Sequence, residues 1–524
     1  MGSVVSQPNV TFSLASADSA VANAAQKVLI CGQYNVAGAG VANQSWHQNI
    51  GSDGEENALF GRNSQLAAMI RAFKKITDRV QLDVIALDGS GSTKRVVDVV
   101  FSGSTATAQA NFVLIAGSEL NHKFTYSVPV GGTPGSVTSA FVALVNADLD
   151  CPFTAAVVST TTLRLTCTTS GTVSLGLPVS IQGTVAGLAA ADPNQTTAGS
   201  VEPASAGMFT QIGNTRYQGI VWVLNDPTTV TAHLDPLFNA TNKVQDGVAF
   251  QCRHDTLSNH TGATYLANAE YNSNSLVYIA DEQSAVAGSG YLGGSIAEPS
   301  YIKSTQFAAI RSLRLTPDLA ISQFVTTSAS LDQFGGPALA SLPYFNTPLP
   351  HMSTPGSGRG WTDAEIEQLL TAGAGIVGQN PAGSAAIAGE MPTTYKTDAA
   401  GNDDVTWKFL NYVDTASGAR EYFHNNVKKR FAQSRLTQGA ATQGRDVANK
   451  VIIKAYLKQL YQDLSSPTYT LVQDGPESVK YFEESIVIDI AMATGKATIQ
   501  AKLPILTQLR TIQATLKIDF DVKR

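Results

Sequence analysis

Charge is what this 524-residue chain has least of: Asp, Glu, Lys and Arg make up 15% of it, against the ~25% usual in globular domains. Its surface must therefore be built from Ser, Thr, Asn, Gln and Gly. Such a surface has little charge to hold copies apart, which suits a subunit packed among its own kind. The small charge that exists is net negative, −6, so the chain as a whole is not expected to bind nucleic acid. No apolar run approaches the ~20 residues of a membrane span, and no membrane insertion is expected. Met1-Gly2-Ser3-Val4 lacks the basic and apolar regions of a secretory signal. Cysteine is scarce too. Cys31, Cys151, Cys167 and Cys252 are widely spaced with no C-x-x-C, which argues against zinc and for reduced, buried thiols. Cys151 and Cys167 are the pair that could meet across two strands.

Catalytic signatures are also missing. There is no G-x-x-x-x-G-K-[ST] and no G-x-S-x-G. Gly288-Ser-Gly-Tyr-Leu-Gly293 matches G-x-G-x-x-G, but Pro299 and Ser300 separate it from the next expected helix, so no helix N-terminus sits on the glycines to receive a pyrophosphate. A surface loop is the better reading. His254 and His260 are six residues apart and do not share a face, so they read as structural histidines. Asp403-Asp404 reads as a turn or cap. No catalytic residue, cofactor site or metal site is nominated, and the chain is not expected to be an enzyme.

What is present is alternation. The stretch 511–522 places Ile512, Ala514, Leu516, Ile518, Phe520 and Val522 on one face and Thr, Gln, Lys and Asp on the other. Period two over that length predicts a half-buried strand, roughly twice the ~5–6 residues of a common strand. A weaker alternation, Val10, Phe12 and Leu14, lies in a polar start, 1–24, that reads as an extended arm. Between these ends the pattern predicts an α/β core: a buried strand from Lys27, a helix over 57–76 and a second strand from Leu82. Texture then changes. From 97 to 207 the chain is rich in Thr, Ser, Val and Ala and poor in charge, with alternating runs and one helix near 136–146. Strands near 219, 247–252 and 275–280 resume the core, with helices at 229–239, 262–271 and 301–313.

The expected fold class is α/β plus β, a multi-domain chain whose α/β core domain is interrupted by a β-rich insertion. An α+β C-terminal domain and extended terminal arms complete it. The divisions are 1–24 (N-terminal arm), 25–96 and 208–345 (core), 97–207 (insertion), 346–505 (C-terminal domain) and 506–524 (C-terminal arm). The C-terminal unit opens on Thr362 and Glu365 at capping-box spacing with Gly373 as helix stop. A hairpin, helices at 405–434 and 445–463, and strands at 486–492 and 497–503 follow.

One charge pattern stands out. Between Arg420 and Asp463 there are nine Lys or Arg against three acids. Arg420, His424 and Lys428 repeat at i, i+4, i+8 with Lys429 adjacent, and Lys450, Lys454 and Lys458 repeat the spacing on the next helix. Phe423, Val427 and Phe431, and Val447, Val451 and Ala455, are the expected core faces. A solvated helix face is the ordinary reading of such a stripe. A lining for an acidic partner is the sharper one.

The segment 360–376, Gly-Trp-Thr-Asp-Ala-Glu-Ile-Glu-Gln-Leu-Leu-Thr-Ala-Gly-Ala-Gly-Ile, resembles the contractile tail sheath proteins of Mu-type bacteriophages. So do 393–401, Thr-Thr-Tyr-Lys-Thr-Asp-Ala-Ala-Gly, the long helix within 409–436, and 501–506, Ala-Lys-Leu-Pro-Ile-Leu. The likeness is densest over 360–524 and architectural over 25–345. It implies a structural virion protein of the tail, assembled in the host cytoplasm. Its partners would be itself, as a helical homo-oligomer of hexameric rings, the tail tube protein, and the baseplate and tail terminator proteins. The insertion would face outward and the C-terminal domain the tube. The arms, through Val10, Phe12, Leu14, Ile512, Leu516, Ile518, Phe520 and Val522, would add strands to neighbouring copies. The basic set Arg420, Lys428, Lys429, Lys450, Lys454 and Lys458 would face the tube. The family's core has been likened to subtilisin, but no triad is present here to carry over. Rival readings are the sheath of a tailocin or type VI-like secretion apparatus, an outer capsid or adhesin protein, and a hydrolase on the α/β core.

Overall fold

A computed structural model describes residues 26–35, 41–51, 54–213, 215–234, 247–282, 291–292, 298–315, 343–353, 360–439, 447–466, 471–493 and 495–506. The arm residues Val10, Phe12, Leu14, Ile512, Leu516, Ile518, Phe520 and Val522 lie outside them.

The core begins with β1 (Lys27–Tyr34), the short β2 (Ser45–His47), α1 (Glu55–Phe60), α2 (Gln65–Lys74) and β3 (Gln81–Asp88). The single helix expected over 57–76 is two, because Gly61 sits at φ +84°, a conformation that ends a helix and that a Cβ resists. Ser64 restarts the helix by accepting from Ala67 N–H at 3.1 Å. Leu66, Met69, Ile70 and Phe73 then form the buried stripe.

The insertion follows: β4 (Lys94–Gly103), β5 (Ala110–Ala116), β6 (Lys123–Val128), α3 (Pro134–Ala147), β7 (Phe153–Ser159), β8 (Thr162–Ser170), β9 (Val179–Gln182), β10 (Leu188–Ala190) and β11 (Asn194–Thr197). One sheet runs β10-β4-β8-β7 with β11 also on β4, and β9-β5-β6 belong to a second. Phe141 of α3 stacks on Phe101 of β4 at 5.8 Å, and Phe101 meets Phe112 of β5 at 5.7 Å, so the helix fills the space between the sheets. Cys151 and Cys167 are both free, buried thiols. Burial pushes each up to about 12, so they are inert at neutral pH.

The core resumes with β12 (Gly219–Trp222), α4 (Pro227–His233), β13 (Val248–Asp255), α5 (Leu257–Thr261), β14 (Leu276–Glu282), β15 (Tyr291–Leu292), α6 (Ser300–Leu315), α7 (Asp363–Ala372) and β16 (Ala374–Gly375). The helix expected at 262–271 instead occupies Leu257–Thr261, capped by Thr256. Seven strands run in the order β16-β14-β13-β12-β1-β3-β2, all parallel except β2. Near-continuous burial of these strands is what a parallel sheet covered on both faces requires. α2 and α6 pack together on one face. On the other, His260, Tyr265, Tyr271, Tyr278 and Trp361 form an aromatic cluster beside α5 and α7.

Two findings redraw the expected divisions. β16 pairs with β14, so the helix that was expected to open the C-terminal unit delivers a strand to the core sheet. β15, inside the Gly288–Gly293 motif, pairs with β9 and so adds core-derived chain to an insertion sheet.

The remaining elements are the hairpin β17 (Val377–Gln379) and β18 (Ala385–Ile387), α8 (Leu410–Phe431), the bridge pair β19 (Arg435–Leu436) and β20 (Val447–Ala448), α9 (Lys450–Ser465), α10 (Pro476–Ser485), β21 (Val487–Ala491) and β22 (Lys496–Gln500). Phe482 of α10, a helix not anticipated from the sequence, sits against Phe423 of α8 and Tyr461 of α9. That contact centres the C-terminal unit.

Candidate assembly interface

Buried ions fix the C-terminal unit to the core. α6 is buried along almost its whole length, Lys303, Arg311 and Arg314 included. Arg311 reaches across to α8, where its Nη2 lies 2.7 Å and its Nε 3.1 Å from Asp414 Oδ1, and it also donates to the Gln218 carbonyl at the start of β12. Tyr344 Oη completes the carboxylate at 3.3 Å. A forked guanidinium on a desolvated carboxylate is geometrically demanding, and here it sets how α8 lies against the core. Lys303 pairs with Asp281 in the same buried layer.

A second junction holds the insertion. Glu298, just before α6, is 1% exposed. It accepts from Ser118 Oγ at 2.8 Å and Leu120 N at 3.3 Å in the insertion, and from Ser353 Oγ at 3.2 Å. Burial raises its carboxyl to about 7, against these hydrogen bonds, which pull it down. Arg62 adds a fork on Asp150, 2.8 and 3.0 Å.

The basic set divides. Arg420 is 2% exposed and so belongs to the packed side of α8, not to an outer face. The reason is helical phase: it follows Val413, Ala416 and Ala419, all buried. Lys458 is held by Glu483 at 2.6 Å. Lys429 and Lys450 are exposed, and Lys428 and Lys454 are partly so.

On α9 the expected core face is wrong. Val451 is 74% exposed, while Ile453, Leu457, Leu460, Tyr461 and Leu464 are buried. Val447 lies in β20 and the helix starts only after Asn449, whose side chain accepts from Ile452 N–H. A stripe projected through Val447 is therefore out of phase.

β21 and β22 form a two-stranded sheet with Ile488 and Ile490 inward and Val487 59% exposed. Among the described residues neither strand has a second partner strand.

His260 and Asp404 are taken up by hydrogen bonds within the fold. His260 Nε2 donates to the Asp281 carbonyl at 3.0 Å and Nδ1 accepts from Tyr278 Oη at 2.7 Å, a neutral ring with both nitrogens satisfied, and burial lowers its pKa. Asp404 accepts from Thr406 N at 2.8 Å and Tyr395 Oη at 2.9 Å, a turn. Among the described residues no three His, Cys, Asp or Glu are grouped to hold a metal. No helix among them is long and apolar enough to cross a membrane.

The chain is 24% identical over 471 residues to the Mu-like prophage FluMu tail sheath protein of Haemophilus influenzae, covering 87% of this chain and 86% of that protein. It is similar to a Mu-type tail sheath. The resemblance read from 360–376, 393–401 and 501–506 thus extends over most of the chain. No family model matches it. Among solved structures, the sheath tail protein of Desulfitobacterium hafniense superposes with a TM-score of 0.42 at 10% identity, covering 94% of this chain and 96% of that one. The sheath tail protein of Listeria innocua gives 0.43 at 9%, covering 92% of each chain. The contracted PVC sheath of an extracellular contractile injection system gives 0.43 at 11%, covering 99% of each.

Proposed function

We propose that this chain is the structural, non-enzymatic subunit of a contractile phage tail sheath. It polymerises around an inner tube and contracts to drive that tube through the host envelope. The observation that carries this reading is the similarity to a tail sheath protein over 87% of the chain. Three physical features support it. The low charge fraction suits a subunit buried among copies. The alternating stretch 511–522 is long enough to span a neighbour's sheet edge, and β21–β22 is a sheet of only two strands among the described residues. Strand addition of this kind satisfies backbone groups by hydrogen bonds worth ~1 kcal/mol each.

Within that assembly the insertion, 97–207, is the outer domain and the C-terminal unit the tube-proximal one. The arms carrying Val10, Phe12, Leu14 and Ile512 to Val522 link neighbours. Of the basic residues, Lys428 and Lys429 at the open end of α8 are the candidates to meet an acidic tube surface.

The test is negative-stain electron microscopy of the purified full chain. Long hollow tubes with a helical lattice are expected. Closed shells, thin fibres or monodisperse monomers at high concentration would overturn the reading.

A further inference from the structure

Two helices carry matching ridges that one chain cannot bring together. On α7, Asp363 and Glu367 stand at i, i+4 on the exposed side, and Ile366 and Leu370 repeat the same interval beside them. These residues wall a groove of about 620 Å³ whose apolar floor includes Phe409 and Phe345, the latter 60% exposed. On α9, Lys450 and Lys454 stand at i, i+4, and Val451 and Ala455, both exposed, repeat the interval beside them. Each ridge has an apolar row and a charged row one helical turn long, and the charges are opposite.

The two ridges lie at opposite ends of α8. Phe409, in the groove, is the N-cap of α8. α9 runs back along α8: Tyr422 Oη meets Asp463 at 3.3 Å, Tyr456 Oη meets the Asn426 carbonyl at 3.4 Å, and Tyr456 packs edge-on against Phe431. The start of α9 therefore lies beyond the C-terminal end of α8. With 22 residues in α8, the ridges are about 33 Å apart.

We propose that the α7 groove receives the Lys450–Ala455 end of α9 from a second copy of this chain. Val451 and Ala455 enter between Ile366 and Leu370, in the i±4 ridge packing that helices favour. Lys450 and Lys454 meet Asp363 and Glu367 at the rim, where the pairs set register more than affinity. The contact is heterologous: the groove of one copy takes the ridge of the next, and the second copy's groove stays open. Such a contact propagates and does not close on itself as a dimer. The inference deepens the sheath reading by naming a contact between copies that needs no terminal arm, and it rests on that reading.

Two full-length variants test it, K450E/K454E and the same chain with D363K/E367K added. Pelleting and electron microscopy should show that the first needs at least tenfold more protein to polymerise, and that the second returns to near wild-type behaviour. Unchanged polymerisation of the first, or no recovery in the second, overturns the proposal. A mixture of Val451→Cys and Glu367→Cys chains gives an independent readout, since the native thiols are buried. Under mild oxidation it should yield a disulfide-linked pair containing one of each chain. If wild type forms no tubes but this pair appears, the sheath reading fails and the contact stands. If wild type forms tubes and no pair appears, the contact fails alone.

Discussion

Glu298 shows how a single side chain can carry a junction. Its carboxyl holds two points of the insertion and one of the 343–353 segment to the start of α6, and burial raises it from 4.5 to about 7. The folded chain therefore prefers the protonated acid. The stability this group contributes is fully present below about pH 4.5 and lost as pH rises through 7. The loss is about 3 kcal/mol. Glu298→Gln keeps the shape and removes the titration. Its melting temperature should change less than that of wild type between pH 5 and pH 8, with the variant the more stable at pH 8. Parallel pH profiles for the two proteins would show that the junction does not depend on this ionisation. Little of this was visible in the sequence, where Glu298 is an acid in a loop. Its partners, Ser118 and Ser353, are 180 and 55 residues away, and no periodicity links them.

At the scale of elements, legibility followed local rules and failed where a boundary shifted a phase. The capping box of α7 was readable because all its parts lie within twelve residues. Thr362 Oγ1 receives Glu365 N–H, Glu365 returns the bond to Thr362 N–H, and Gly373 ends the helix at φ +92°. β1, β3 and β13 were readable as apolar runs because both their faces are covered. α9 was misread because the stripe was drawn from Val447, which lies in β20, and passed over the longer apolar row of Ile453, Leu457, Leu460, Tyr461 and Leu464. The corrected face makes a direct prediction. Leu457→Ala should cost about 2–5 kcal/mol in urea unfolding, and Val451→Asp less than ~0.5 kcal/mol. The reverse ranking would restore the sequence-based phase. Arg420 failed too: spacing put it on a stripe with Lys428, but only the packing of α8 on the core decides which residues of that stripe reach solvent. α10 was missed because Glu, Lys and Ser around a single buried Phe482 give too narrow an apolar stripe to register.

For the whole molecule, changes of texture along the chain mark where one sheet gives way to another, after β3 and again before β12. The cross-ties left no such mark, because β16 and β15 are two-residue strands that act only through distant partners. The arms are the remaining question at this scale. If 511–522 links copies by strand addition, a chain lacking residues 511–524 should stay monomeric in analytical ultracentrifugation at concentrations where the full chain forms tubes. Its melting temperature should be within a few degrees of the parent, since the described core is untouched. Tubes of normal length from the truncated chain would remove the arm from the assembly mechanism.

The insertion is anchored more often than its connectivity demands. Besides the two covalent crossings at β3–β4 and β11–β12, it is held by the β15–β9 pairing, the Arg62–Asp150 fork and the Glu298 carboxyl group. With further ties such as Gln33 to Ser170 and Arg253 to Thr172, the insertion has no single axis about which to turn. Any large rearrangement of an assembly built from this chain must then occur at the surfaces where copies meet, with each subunit carried along undeformed. The free energy that separates a long assembly from a short one would in that case be written in intersubunit contacts, and substitutions inside the subunit would change how long it survives without changing how far it moves.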